Sequence, residues 1–211
     1  MASVSIRTIT KEELAARANS DRLAFINLEN SRPILSSFGN PLGHVPYDEG
    51  AAIKALIRHW VAIYDVAKSS VLEPKYIIST IVGGREKIVG IAVEKMSGKF
   101  LSDFVLSKEP ISSNKISENT AQVKDAANHF YEAMEKINKF GHYHGNLVPD
   151  LINVSFSSGT VSFQVGSPMI ATSNAQQEEF LQSDKKRRNQ FREMLRISDL
   201  EERRQFLSKL I

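Results

Sequence analysis

Residues 75–96 read KYIISTIVGGREKIVGIAVEKM, two β-branched apolar runs joined by GGRE. Branching at Cβ stiffens a side chain and suits it to a pleated surface, so both runs predict strands. A joint this short turns the second run back along the first, which predicts a hairpin of largely buried strands. Whatever surrounds the hairpin must cover a small sheet.

Helical patterns flank it. From Glu49 to about Ser69, Ile53, Leu56/Ile57, Trp60/Val61, Tyr64 and Ala67 recur at three and four residues and mark one apolar face. A longer amphipathic helix is predicted over 119–141, with Val123, Ala126/Ala127, Phe130, Ala133/Met134 and Ile137 inward and Gly141 as its stop. Nearer the N-terminus, Thr10 before KEELAARA reads as an N-capped helix, and RLAFINLE (22–29) as a strand. Residues 30–50 hold three Pro and three Gly and predict a loop or broken hairpin.

MSGKFLSDFVLSK predicts a turn into a short helix, and SSNKISEN a polar linker. LINVSF and TVSFQVG predict two short strands joined by SSG, and a charged helical tail starts near Gln176. Runs of strands and helices in this order predict an α+β fold with antiparallel sheet rather than βαβ units. The expected organisation is an N-terminal arm or reduced sheet (1–48), a core (49–168) and a basic amphipathic helical tail (169–211).

The 211 residues include no cysteine, which excludes disulfides, thiolate metal sites and cysteine nucleophiles. A missing secretory pattern at the N-terminus adds to the expectation of a soluble, cytoplasmic protein, with the nucleus as the alternative. No apolar run is long enough to span a bilayer, so no membrane partner is expected. The net charge of +3 is uneven: residues 184–211 carry nine Lys/Arg and five Asp/Glu, so the rest of the chain is close to neutral.

The stretch GHYHGNLVPDLINV (141–154) carries the most chemical information. With the elements before and after it, it resembles the catalytic loop of protein kinases. HGNLVPDLINV matches the loop and its following strand, IAVEKMSGKFLSDFVL the last small-lobe strand, hinge and first large-lobe helix, and VSFQVG the place of the Asp-Phe-Gly motif. The likeness covers roughly residues 49–168. It implies an abbreviated kinase-like fold, with a small antiparallel N-lobe sheet and a partial helical C-lobe.

Phosphoryl transfer requires a lysine on the phosphates, carboxylates on magnesium and an aspartate to accept the hydroxyl proton. The pattern H-R-D-L-x-x-x-N falls on His144, Gly145, Asn146, Leu147 and Leu151. Asn146 stands at the base position, and an amide does not take that proton. Leu151 stands at a metal-ligand position, and an alkyl chain offers no oxygen to Mg²⁺. Gln164 replaces the metal-binding aspartate, with Gly166 ending the motif. No G-x-G-x-x-G loop is present. AAIK (51–54) imitates the kinase V-A-I-K, but Lys54 lies in a helical pattern and reads as a solvent-facing helix lysine.

The resemblance therefore implies a pseudokinase: no catalytic residue, no cofactor, no metal, and a regulatory or scaffold role through another protein, in signalling or immunity. His144 is expected to brace the loop by bonding backbone carbonyls. The alternative is an atypical nucleotide-binding enzyme using Lys54, Glu94 or His144. His142 and His144 form an H-x-H pair with only His129 as a nearby third imidazole, which argues against a metal site. No G-x-S-x-G elbow supports a serine hydrolase. KKRR (185–188) raises nucleic-acid binding, but its helical context favours packing on the body or a partner. The sequence assigns no oligomeric state.

Overall fold

The computed structural model describes residues 6–18, 20–27, 49–95, 98–101, 113–157, 160–166, 168–171, 173–196, 201, 202 and 205. They form two compact α+β units, Met1–Tyr64 with Glu73–Lys95, and Asp65–Leu72 with Met96–Ile211. Among the described residues, no helix is long and apolar enough to cross a membrane.

The first unit is built on the hairpin of β3 (Pro74–Val82) and β4 (Arg85–Glu94), paired from Pro74↔Val93 to Val82↔Arg85. β1 (Arg7–Thr10) lies beside β3 and β2 (Leu23–Asn27) beside β4, giving the order β1-β3-β4-β2. The expected antiparallel sheet is corrected here: β1 runs parallel to β3, so the sheet is mixed. A parallel neighbour needs a long crossover, and the chain between β1 and β3 supplies one.

Helix α1 (Lys11–Arg17) starts where the sequence places it. The Thr10 hydroxyl accepts the Glu13 N–H at 3.2 Å and the Glu13 carboxylate accepts the Thr10 N–H at 3.0 Å, a reciprocal capping box. Ile9, Leu14, Leu23, Ile78, Val89 and Ala92 close the unit's core. Helix α2 (Glu49–Val66) buries Leu56, Ile57, Trp60 and Ile63. Its stripe passes through Ile63 rather than Tyr64, which stays half-buried.

In the second unit β5 (Lys99–Phe100), β6 (Ile152–Ser157) and β7 (Thr160–Val165) form an antiparallel sheet in that order. Lys99 and Phe100, expected in a turn, pair with Val154 and Asn153; the short helix expected beyond them falls largely outside the described residues. The segment after α2 is stitched to β7, with Leu72 N donating to Val165 O and Val165 N to Ser70 O, both at 2.9 Å.

Helix α3 runs from Ser113 to Lys139, so the segment read as a polar linker is its first turns. An apolar stripe marks where a helix is buried, and its hydrogen-bond ladder can continue beyond that stripe. Helix α4 (Asn174–Arg196), in the segment read as a basic helical tail, packs on α3. Phe130 of α3, Phe163 of β7 and Phe191 of α4 meet with ring centroids 5.6–6.3 Å apart. Aromatic pairs at such spacing add about 0.5–1.5 kcal/mol each beyond the area they bury.

Candidate functional site

The loop that carries the sequence signal leaves α3 through a tight helix end. His142 N donates to Ile137 O and Gly141 N to Asn138 O, both at 3.0 Å, and Gly141 sits at φ +76°. This is a Schellman ending, in which a left-handed residue lets the chain satisfy the last helical carbonyls.

His144 is fully buried. Its Nδ1 accepts the Asn146 N–H at 3.3 Å, which leaves Nε2 as the protonated nitrogen, donating to the Gly166 carbonyl at 2.8 Å. Its own carbonyl accepts the Met169 N–H at 2.8 Å. Both ring nitrogens and the carbonyl are thus engaged within the protein. Tyr143, also buried, accepts the Ala171 N–H on its hydroxyl at 2.6 Å, and burial pushes its phenol up.

Asp184, one of the few charged side chains that are buried among the described residues, completes the loop from α4. One carboxylate oxygen accepts the His144 N–H at 2.6 Å and the other the Gly145 N–H at 2.9 Å. Burial pushes the carboxyl up to about 6, against the opposing pull of those two amides, the Asn138 side chain and Arg188. Asn138 in turn donates to His142 O at 3.2 Å and accepts from Arg188 Nη1 at 2.8 Å. The loop is therefore held by α3 on one side and α4 on the other.

The predicted positions divide. His144, Asn146 and Gly166 meet in this cluster, through the two bonds of the His144 ring. Leu151 ends a short 3₁₀ turn (Pro149–Leu151) just before β6, and Gln164 lies on β7 opposite Asn153; both are half-buried. Lys54 is exposed on α2, and Glu94 is exposed at the end of β4, opposite Leu23, both in the first unit. His129 is exposed on α3, its Nδ1 bonded to the Asp125 carbonyl at 2.8 Å. Among the described residues no group of three or more His, Asp or Glu side chains could hold a metal ion.

Asp184 is the site residue that sequence reasoning misses, because it looks like the first charge of a charged tail. A signal was present: Asp184 is four residues after Phe180 and seven before Phe191, on the apolar stripe of α4. The KKRR run likewise presents less of its charge to solvent than its sequence suggests. Lys185 and Lys186 are exposed, but Arg187 is half-buried and Arg188 is buried.

No protein-family model matches the chain, and no curated protein matches it.

Proposed function

We propose that this chain is a catalytically inactive kinase-like protein that acts as a regulatory or scaffold module by binding another protein. The observation that carries this reading is the use made of the loop's buried ionisable groups. The His144 ring is bonded to Gly166 O and Asn146 N, and both Asp184 oxygens are bonded to loop amides. These groups brace the backbone of the loop.

The side chains at the chemical positions support the same reading. Asn146, Leu151 and Gln164 offer two amides and an alkyl group where phosphoryl transfer requires a base and magnesium-binding carboxylates. A loop kept in shape without those groups is suited to presenting a surface. Signalling partners are the class that the kinase resemblance suggests.

Thermal denaturation of the full chain with ATP, with and without Mg²⁺ or Mn²⁺, tests the proposal. A ligand that binds the native state raises Tm by mass action. The expected result is no metal-dependent rise. A clear rise with metal and ATP together overturns the inactive reading in favour of a nucleotide-using enzyme.

A further inference from the structure

Between α3 and α4 the second unit carries a groove of about 350 Å³, lined among others by Lys124, Asn128 and Tyr131 from α3 and by Arg192 and Arg196 from α4. Its charge is one-sided. Among the described residues no carboxylate forms an ion pair with Lys124, Arg192 or Arg196. Arg192 stacks on the Tyr131 ring at 4.7 Å from the centroid, and Arg188 lies 5.1 Å from the same ring. Arg188 is buried behind that ring, bonded to Asn138 through Nη1, and does not itself line the groove.

Arg188, Arg192 and Arg196 are spaced four residues apart on one helix face, a rise of about 6 Å per step. Like charges at this spacing destabilise a helix. The contacts of Arg188 and Arg192 with the Tyr131 ring offset that repulsion while leaving each arginine its charge. The nearest buried carboxylate on α4, Asp184, already accepts two amides of the loop. An anionic ligand in the groove would meet cations that no described carboxylate pairs, and guanidinium forks pair with carboxylates in two-pronged fashion.

We propose that this groove is the docking site for an acidic peptide segment of a partner protein, one that sets carboxylates against Arg192, Arg196 and Lys124 and an apolar or aromatic side chain against Tyr131. The proposal rests on the binding-module reading and names the partner's chemistry. A peptide fits better than a nucleic acid because α3 and α4 also expose Asp125, Glu132 and Glu193. Those carboxylates repel a strand charged at every phosphate, whereas a peptide can place its acids at the cations alone.

The test is fluorescence anisotropy on the full chain with a labelled helical peptide bearing Glu at four-residue spacing and one Trp. Its Lys-for-Glu twin and a labelled dodecathymidine strand serve as further probes. Expected is saturable binding of the acidic peptide, weaker at higher salt, and neither twin nor oligonucleotide binding as tightly. The double variant Arg192→Glu/Arg196→Glu should weaken it tenfold or more, while Lys186→Glu, on another face of α4, changes it less than twofold. The two arginines are exposed, and a circular dichroism melt of each variant checks the fold. Failure of the wild type to bind the peptide, or binding that the double variant leaves intact, overturns the proposal. Tighter, variant-sensitive binding of the oligonucleotide overturns it in favour of nucleic acid. None of these outcomes alters the ATP and metal melt, so loss of the groove and loss of the inactive-kinase reading are separately visible.

Discussion

Asp184 holds His144 by its main chain and not by its imidazole: the carboxylate accepts the His144 N–H at 2.6 Å, while the ring points to Gly166 O at 2.8 Å. A histidine beside an aspartate often signals acid–base chemistry. Here the two groups share no proton. One fixes the backbone from α4, and the other ties the loop to the end of β7.

Removing the carboxylate tests that role. Asp184→Ala leaves the His144 and Gly145 amides without their acceptor, and an unpaired buried amide costs about 1–3 kcal/mol. Part of this is offset by relief from burying a charge. With two amides orphaned, the expected net loss is about 2–4 kcal/mol in urea denaturation at neutral pH. A loss below about half a kcal/mol would show that the amides find other partners and that α4 does not clamp the loop.

The same carboxylate predicts a pH dependence. Its native value is about 6, above the roughly 3.9 of an unfolded aspartate. Between these values the native state binds more protons than the unfolded state, so stability from this group falls as pH rises. It is fully present below about pH 4 and lost above about pH 6. The amide introduced by Asp184→Asn does not titrate, so the stability of wild type relative to this variant should decline from about pH 4 to about pH 7, by on the order of 3 kcal/mol. Other carboxyls, including Glu12, whose value a backbone amide lowers, occur in both proteins and cancel. A difference that is flat or rises with pH would remove Asp184 as the source.

How legible this site was depends on which residues carried a local pattern. The hairpin around residues 83 and 84, the cap at Thr10 and the inward faces of α2 and α3 are short-range consequences of side-chain type and spacing, and they were readable. His144 was readable because its neighbours Leu147 and Pro149 give the loop a recognisable outline. Asp184 was not, since its partners lie 39 and 40 positions away and its place on the apolar stripe of α4 is masked by the charges that follow it. The parallel pairing of β1 with β3 was hidden because it too joins segments far apart in the chain. The basic groove needs two helices side by side before Lys124 and Arg192 become neighbours.

Two glycines at nearly the same backbone angle should respond differently to alanine. Gly141 lies at φ +76° with nothing within 4 Å of an added Cβ, whereas at Gly145, φ +77°, a Cβ would sit 3.1 Å from Met169 Cβ and 3.2 Å from Phe180 Cγ. Both variants bear the left-handed penalty of about 1–2 kcal/mol. Only Gly145→Ala also forces the neighbours apart, which typically adds about 1–3 kcal/mol. Parallel urea titrations should rank Gly145→Ala as the more destabilised. Equal losses would mean that the 169–180 side of the loop yields freely.

The last prediction concerns chemistry. Asn146→Asp restores the residue that would accept a substrate proton in the kinase resemblance, and it changes one terminal group at a half-buried position. It should not produce phosphotransfer, because Leu151 and Gln164 still offer magnesium only an alkyl group and a neutral amide at its two ligand positions. The measurement is transfer of labelled γ-phosphate from ATP to the chain itself and to a generic protein acceptor, with Mg²⁺ and with Mn²⁺. Wild type and Asn146→Asp should both remain at background. Activity appearing in the single variant alone would mean that the metal is held by residues outside the assigned positions, and the alignment of this loop with a kinase catalytic loop would have to be redrawn.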